Sequence, residues 1–331
     1  MTEIPKPGRS VAADIETALA SLQAGELVAI PTETVYGLAA DAHSDAALRR
    51  IFALKGRPPD HPLILHLGDV SWLSRYALKV PDYALSLALE HWPGPLTLVL
   101  PASRLVSRVA TGGQDTVALR MPRHPLTQQL LRAFGRAVAA PSANRYGSIS
   151  PTSAADVRAE FGAEAPLVLD GGPCSEGIES TIIDCTGPAP RLLRPGSIRL
   201  SELAPVADRE GPRAPGRVDR HYAPRTPAWL ASQSDWPTAV AKARRQAMRW
   251  RVLGCGALPE GVAGLALPAE PVGYAHGLYA ALRQLDRAGA AHLLVQAPPA
   301  DEAWLAVHDR LRRATQPWLD QAGASVDYAD Q

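Results

Sequence analysis

What most constrains this chain is a stretch that has little to bury. Between residues 205 and 226 stand four prolines (Pro205, Pro212, Pro215 and Pro224) and five arginines, with few large apolar side chains. Proline fixes φ and supplies no backbone donor, and an arginine head stays in water, so the stretch reads as an extended, semi-rigid connector. At 331 residues the chain exceeds the roughly 100–200 residues of an ordinary single domain, and the connector shows where to divide it. The expected organisation is a first domain over 10–204, a connector over 205–226 and a smaller domain over 227–331.

Hydrophobic periodicity gives each part its class. Short apolar runs at 27–30, 63–67, 96–100, 116–121, 137–140, 167–169, 181–185 and 191–193 have strand length. Segments at 10–24, 44–54, 82–91, 125–134 and 153–161 have helical spacing, with Ser44 placed to cap the second and Gly56 to stop it. The first domain is therefore expected to be α/β with a mixed sheet. Beyond 226, strands at 229–230, 251–253 and 292–296 alternate with helices at 238–249, 275–288 and 302–314, the pattern of a small parallel sheet.

Charge and cysteine content exclude several function classes. Lys and Arg number 34 against 33 Asp and Glu, and residues 227–331 carry ten of each sign, so no global field draws the protein to nucleic acid or an anionic membrane. Cys174, Cys185 and Cys255 lie far apart with no CxxC pair, which fits a reducing cytoplasm better than a zinc knuckle or a disulfide framework. No apolar run reaches the ~20 residues of a membrane helix, and the first residues lack the order of a secretion signal. GxxxxGK[ST], HExxH and GxSxG are absent. Gly254-Cys255-Gly256 is followed by Pro259 where a dinucleotide fingerprint needs its third glycine, so it reads as a turn.

Four local patterns carry candidate chemistry. Residues 31–38, PTETVYGL, place hydroxyls, a carboxylate and a phenol directly after a buried strand, where open α/β sheets hold ligands; a hydrogen-bonded turn accounts for them equally well. Lys55 and Arg57 flank Gly56 at a helix end, ahead of Pro58-Pro59. Two cations in a stiff turn suit phosphate oxygens, or simply answer the helix macrodipole. His61 and His66 follow, with His66 on the strand face opposite Leu63, Leu65 and Leu67. In 116–121 a period of two sets Thr116, Ala118 and Arg120 opposite Val117, Leu119 and Met121, which suits Arg120 to an ion pair or to a ligand carboxylate. Pro141-Ser142-Ala143-Asn144 and Gly147-Ser148-Ile149-Ser150 form a second hydroxyl-rich stretch after a strand.

Taken in order, these residues resemble the YrdC-type threonylcarbamoyl-AMP synthases in their long, two-domain form. The resemblance rests on PTETVYGL (31–38), LKGRPPDHPLILHL (54–67), WPGPLTLVL (92–100), TVALRMPRHP (116–125), APSAN (140–144), ESTIID (179–184), RLLRPG (191–196) and RHYAP (220–224). GLYAALRQLD (277–286) and WLAVHDRLRRAT (304–315) resemble that family's second domain. It implies a YrdC-like domain with a twisted mixed sheet and flanking helices, plus a small Rossmann-like α/β domain. It also implies a nucleotidyltransferase that joins L-threonine to bicarbonate or CO2, adenylates the product with ATP and releases pyrophosphate, for threonylcarbamoyladenosine modification of tRNA.

Carried over residue by residue, the resemblance implies that Thr34, His66, Arg120, Ala140 and Ser180 surround threonine. Arg57, His61, Thr116, Ser142, Ser150, Arg194 and, from the connector, Tyr222 would meet the nucleotide. Lys55 and Arg57 would stabilise phosphate charge, with no side-chain nucleophile and with Mg²⁺ bridged by phosphates rather than held by protein ligands. His61 stands where the family often has Asn. The implied partners are ATP, L-threonine, bicarbonate and a downstream tRNA-transfer machinery, in the cytoplasm, with no membrane and weak or no direct tRNA binding. The connector, with His221 and Tyr222, is expected to fold over the site as a lid. Two rivals remain: a carbamoyl-adenylate-forming domain of the hydrogenase-maturation type, whose cysteine-rich zinc modules this chain lacks, and a non-catalytic double-stranded RNA-binding module, which balanced charge disfavours.

Overall fold

The computed structural model describes residues 11–200, 203, 206–207, 211–218 and 220–318. It forms two compact units that divide between Asp219 and Arg220, inside the proline-rich stretch.

The first unit runs α1 (Val11–Gln23), β1 (Val28–Ile30), β2 (Gly37–Asp41), α2 (Asp45–Lys55), β3 (Ile64–His66), α3 (Leu73–Tyr76), α4 (Asp82–His91), β4 (Leu96–Pro101), β5 (Thr116–Arg120), α5 (Pro125–Phe134), β6 (Val138–Ala139), α6 (Ala154–Phe161), β7 (Leu167–Val168), β8 (Thr181–Asp184) and β9 (Arg191–Arg194). Its nine strands form one sheet in the order β7-β1-β2-β6-β3-β5-β4-β8-β9. Pairing is mixed as expected, parallel in β1–β7, β3–β5 and β4–β8 and antiparallel elsewhere. β2 is a strand that the apolar runs did not show: at the end of 31–38, Gly37 and Leu38 already pair with Ile30 and Ala29. Its sequence, GLAAD, has no β-branched or aromatic residue to announce a strand.

At one end of the sheet, Ala18 and Leu22 of α1 and Leu130, Leu131 and Phe134 of α5 pack on Val28, Ile30, Ala39 and Val138. Each fully buried leucine there contributes about 2–3 kcal/mol. Toward the other end, Ile64, Ala118 and Val99 line up across three strands, and together with Ile182 they pack with Leu193, Ala214 and Val206. The described part of the connector is thus no free tether. Gln114 clamps Arg213 through both amide atoms, donating to its carbonyl at 3.1 Å and accepting its N–H at 2.8 Å, and Arg194 donates to Pro215 O at 3.0 Å.

The second unit runs β10 (Ala228–Ala231), α7 (Trp236–Arg245), β11 (Trp250–Cys255), β12 (Gly264–Leu267), α8 (Pro271–Asp286), β13 (His292–Gln296), α9 (Leu305–Ala314) and β14 (Gln316–Pro317). All strand pairs are parallel, in the order β12-β11-β13-β10-β14. Sequence periodicity shows three of these strands; β12 and β14 are too short and too close to glycine and proline to stand out. Among the described residues no helix is long and apolar enough to cross a membrane.

Candidate active site

The cationic turn begins with a well-made helix. Ser44 caps α2 by accepting Ala47 N–H at 3.2 Å, and Gly56 ends it at φ 63°. Gly56 N–H then bonds Ala53 O and Arg57 N–H bonds Phe52 O (3.3 and 3.0 Å), so the backbone itself satisfies these late carbonyls. The helix end therefore does not hold the Lys55 ammonium, which leaves it and donates to Ser142 O at 2.6 Å and Asn144 O at 2.5 Å. Burial, then the charge of Arg57, pulls its pKa well below the ordinary lysine value against a smaller opposing pull from Glu160. Two of its three N–H donors hold the 142–144 loop, and Tyr146 N–H adds a 2.7 Å bond to Lys55 O.

Around this suture lie the expected nucleotide residues. Arg57 is buried, donates to Pro62 O at 2.9 Å and sits 5.9 Å from the Tyr146 ring centre. His61 shares a 3.2 Å hydrogen bond with Tyr146 Oη, and burial followed by Arg57 keeps its pKa below the usual imidazole value. Ser142 bridges to Gly37, and Ala140 N–H donates to Ile64 O at 3.0 Å, so the loops after β1 and β6 meet. Asn144 donates to Arg145 O and Ser148 O while its Oδ1 stays buried without a partner. Ser150 donates to Glu179 Oε1 at 2.6 Å.

A second group is set by register. His66 faces Arg120 across β3–β5, and Arg120 faces Thr97 across β5–β4, so the three side chains form one row on one sheet face. The row continues through Ser180, just ahead of β8, to Arg194 at the end of β9: Thr97 Oγ1 lies 2.7 Å from Ser180 Oγ, and Arg194 donates to Ser180 Oγ at 3.1 Å and Ser180 O at 2.9 Å. Ile64 and Ala118 share this face, so connector residues Val206 and Ala214 pack beside the same row.

Arg120 is not left waiting for a ligand. It forms a 2.7 Å ion pair with Glu33, and both side chains are buried. Burial alone would raise the Glu33 carboxyl; the Arg120 charge and hydrogen bond, with the N–H groups of Glu33 and Arg123, bring it below its ordinary value. His66 is buried beside this pair, and burial first, Arg120 second, lowers its pKa to about 3. It is a neutral imidazole at physiological pH. With Nδ1 3.3 Å from Ile64 O, the proton belongs on Nδ1 and Nε2 is an acceptor.

Proton counting fixes Thr34 as well. Thr32 gives its only hydroxyl proton to Val35 O at 2.6 Å, so in the 2.9 Å Thr32–Thr34 contact Thr34 is the donor. Thr34 Oγ1 therefore keeps only lone pairs for a ligand. The site is polarised: acceptors at Thr34 and His66, donors at Arg57, Arg120 and Arg194. Sequence reasoning missed Glu33, Thr97 and Glu179, although all three lie inside motifs it singled out. Thr116 opens β5 opposite Pro101. Tyr222 falls in the second unit, where it stacks on Tyr279 at 5.7 Å beneath Arg310. Among the described residues, no three His, Cys, Asp or Glu side chains stand close enough to hold a metal ion.

An α/β protein with buried guanidinium groups, a fixed-tautomer histidine and hydroxyl-rich loops at strand ends defines a small-molecule site for a ligand bearing both N–H donors and anionic oxygens. The Sua5/YciO/YrdC family, described as "Telomere recombination", matches residues 20–196, and "Threonylcarbamoyl-AMP synthase, C-terminal domain" matches residues 178–316. The chain belongs to this family, in its two-domain threonylcarbamoyl-AMP synthase form. The threonylcarbamoyl-AMP synthase of Pyrococcus abyssi is 40% identical over 91% of this chain and 94% of its own. That of Bacillus subtilis is 36% identical, covering 91% and 92%. The crystal structure of P. abyssi Sua5 complexed with L-threonine aligns with a TM-score of 0.84 at 39% identity, over 91% of this chain and 94% of that one.

Proposed function

We propose that the protein is a cytoplasmic L-threonylcarbamoyladenylate synthase, which condenses L-threonine, bicarbonate or CO2, and ATP into threonylcarbamoyl-AMP and pyrophosphate. The observation that carries this reading is the row His66–Arg120–Thr97–Ser180–Arg194, because it joins acceptors for an amine to donors for carboxylate and phosphate within one register. The L-threonine complex of the P. abyssi relative supports the choice of amino acid.

In this reading the threonine amine donates to Thr34 Oγ1 and His66 Nε2, and the carboxylate approaches Arg120 near Ala140 and Ser180. His66 orients the amine rather than keeping its proton, since an imidazole with a pKa of about 3 is too weak a base to hold one at neutral pH. The amine lone pair attacks the carbon of CO2, forming N–C and releasing a proton. A carbamate oxygen then attacks the α-phosphorus, and the bond to the β-phosphate oxygen breaks with its electrons leaving on pyrophosphate. Positioning and charge do the work. Arg57 and Arg194 take phosphate oxygens, with His61, Thr116, Ser142 and Ser150 completing the nucleotide site. Lys55 acts chiefly by holding the Ser142–Asn144 loop, with one N–H left for phosphate. The N–H-rich donor set suits phosphate oxygens rather than a bare metal ion, so Mg²⁺ would be carried by ATP itself and would supply neutralisation of triphosphate charge. The product serves a downstream tRNA-transfer machinery. The connector covers the site, and Ala214→Asp should weaken synthesis by opening that cover.

The test is pyrophosphate release from the protein with ATP, bicarbonate and each amino acid in turn. Release that depends on threonine is expected; release indifferent to the amino acid overturns the reading.

A further inference from the structure

The proposed chemistry joins two half-sites that must stay in register. A carbamate oxygen held by the threonine row has to meet the α-phosphorus held by the cationic turn and the loop over 142–150. Such geometry tolerates little, since a displacement of about 1 Å can cost roughly 100-fold in rate. Each half-site is tied within itself. Lys55 holds Ser142 O and Asn144 O, and Asn144 holds Ser148 O at 2.9 Å. His66, Arg120 and Thr97 are set by strand register.

A side-chain contact spans the two. Ser150 donates to Glu179 Oε1 at 2.6 Å across 29 residues of sequence, and both side chains are buried. Serine in a loop ordinarily bonds backbone groups a few residues away, so a turn does not call for this partner. The hydroxyl has one proton and Glu179 takes it, so Ser150, like Thr34, keeps only lone pairs for a ligand. The residue after Glu179 serves the other half-site: Ser180 contacts Thr97 and Arg194.

Both ends of the contact stand on fixed backbone. Beside Ser180, Thr181 donates its N–H to Pro95 O at 3.0 Å and its hydroxyl to Ile198 O at 2.9 Å. Gly196 approaches so closely that a Cβ there would stand 2.3 Å from Thr181 N. On the loop side, Tyr36 N–H donates to Pro151 O at 2.9 Å. Removing the Ser150–Glu179 bond therefore leaves each support with its own bonds and takes away a tie between them.

We propose that Glu179 is a positioning residue for the synthase reaction: by holding Ser150 it sets the nucleotide loop against the threonine row. This rests on the synthase reading. Glu179 acts through Ser150, and no proton passes between it and either substrate. The test is a double-mutant cycle on the full chain, with Glu179→Ala, Ser150→Ala and the double variant, read by threonine-dependent pyrophosphate release. Calorimetric titration with threonine counts intact sites, so turnover is expressed per site and incomplete folding does not enter. Glu179→Ala should lower kcat about 100-fold and leave threonine affinity within about twofold of wild type, because alignment rather than binding is lost. Both single variants break the same contact, so the double variant should be no slower than the slower single, whereas independent roles would multiply to roughly 10⁴-fold. Glu179→Gln keeps an oxygen for the Ser150 hydroxyl and should restore turnover to within about tenfold of wild type. Glu179→Met, which fills the buried space without an acceptor, takes the place of Glu179→Ala if that variant does not fold. Unchanged kcat without the acceptor, losses that multiply, or a Gln variant as slow as the Ala variant each overturns the proposal. In a wild type whose release depends on threonine, any of these results defeats this inference alone; a wild type indifferent to threonine defeats the synthase reading and this inference together.

Discussion

Acidification should expose the cost of keeping His66 neutral. In the unfolded chain this imidazole takes up a proton near its ordinary 6.5, whereas in the folded protein it refuses one until about 3. Between those values the unfolded state binds more protons, so stability rises with pH across the window and falls as pH is lowered through it. Each unit below 6.5 costs about 1.4 kcal/mol, so at pH 5 the neutral ring lowers stability by about 2 kcal/mol. His66→Asn keeps a polar side chain with no proton to gain. Urea unfolding of both proteins at pH 7 and pH 5 isolates the effect, because His43, His61 and His292 titrate in both and cancel. Wild type should lose about 2 kcal/mol more than the variant over this interval. Equal losses would show that His66 is protonated in the folded state, and the acceptor role of its Nε2 would fall with it. A matching kinetic sign is a kcat/KM profile with no acid limb near 6.5 assignable to this residue.

Arg57→Ala should reduce turnover by about 10²–10³ at saturating ATP, the loss typical of removing a donor that stabilises developing charge; normal turnover would remove the residue from the chemistry. Glu33→Gln leaves Arg120 buried without its counter-charge and should destabilise the first unit by about 3–5 kcal/mol in urea unfolding, while Glu33→Leu/Arg120→Met together should lose less than Glu33→Gln alone. Thr97→Val keeps the shape but removes the partner of Ser180; it should raise the KM for threonine about tenfold with little change in the KM for ATP, and a shift in ATP alone would contradict the assignment of the row.

Much of this was legible from one-dimensional pattern. The bounds of α4 and α5 follow from helical spacing and proline position, and the Ser44 and Gly56 caps are visible because each cap depends on residues only a few positions apart. The two faces of β5 follow from period two. What stayed hidden depends on partners far along the chain. Glu33 lies 87 residues from Arg120, and Thr97 lies 83 from Ser180, so neither role has a local signal. Arg120 was correctly placed on the face away from Leu119, but only the fold shows that this face is buried. Lys55 could not be separated from a dipole-answering lysine until the loop that accepts its protons was in place.

The strand order of the first sheet also sets a timetable for the growing chain. β1 cannot gain its outer neighbour until Leu167 exists to meet Val28, and β4 waits for Ile183 to meet Leu98. At the usual synthesis rate of about 5–20 residues per second, many seconds separate these partners, and closing such long loops is slow on any chain. The site draws on residues from Thr34 to Arg194, so an emerging protein has no place for its ligands until most of the sheet is built. Ligands of that site can therefore stabilise only the finished fold, by mass action, and cannot guide the chain toward it.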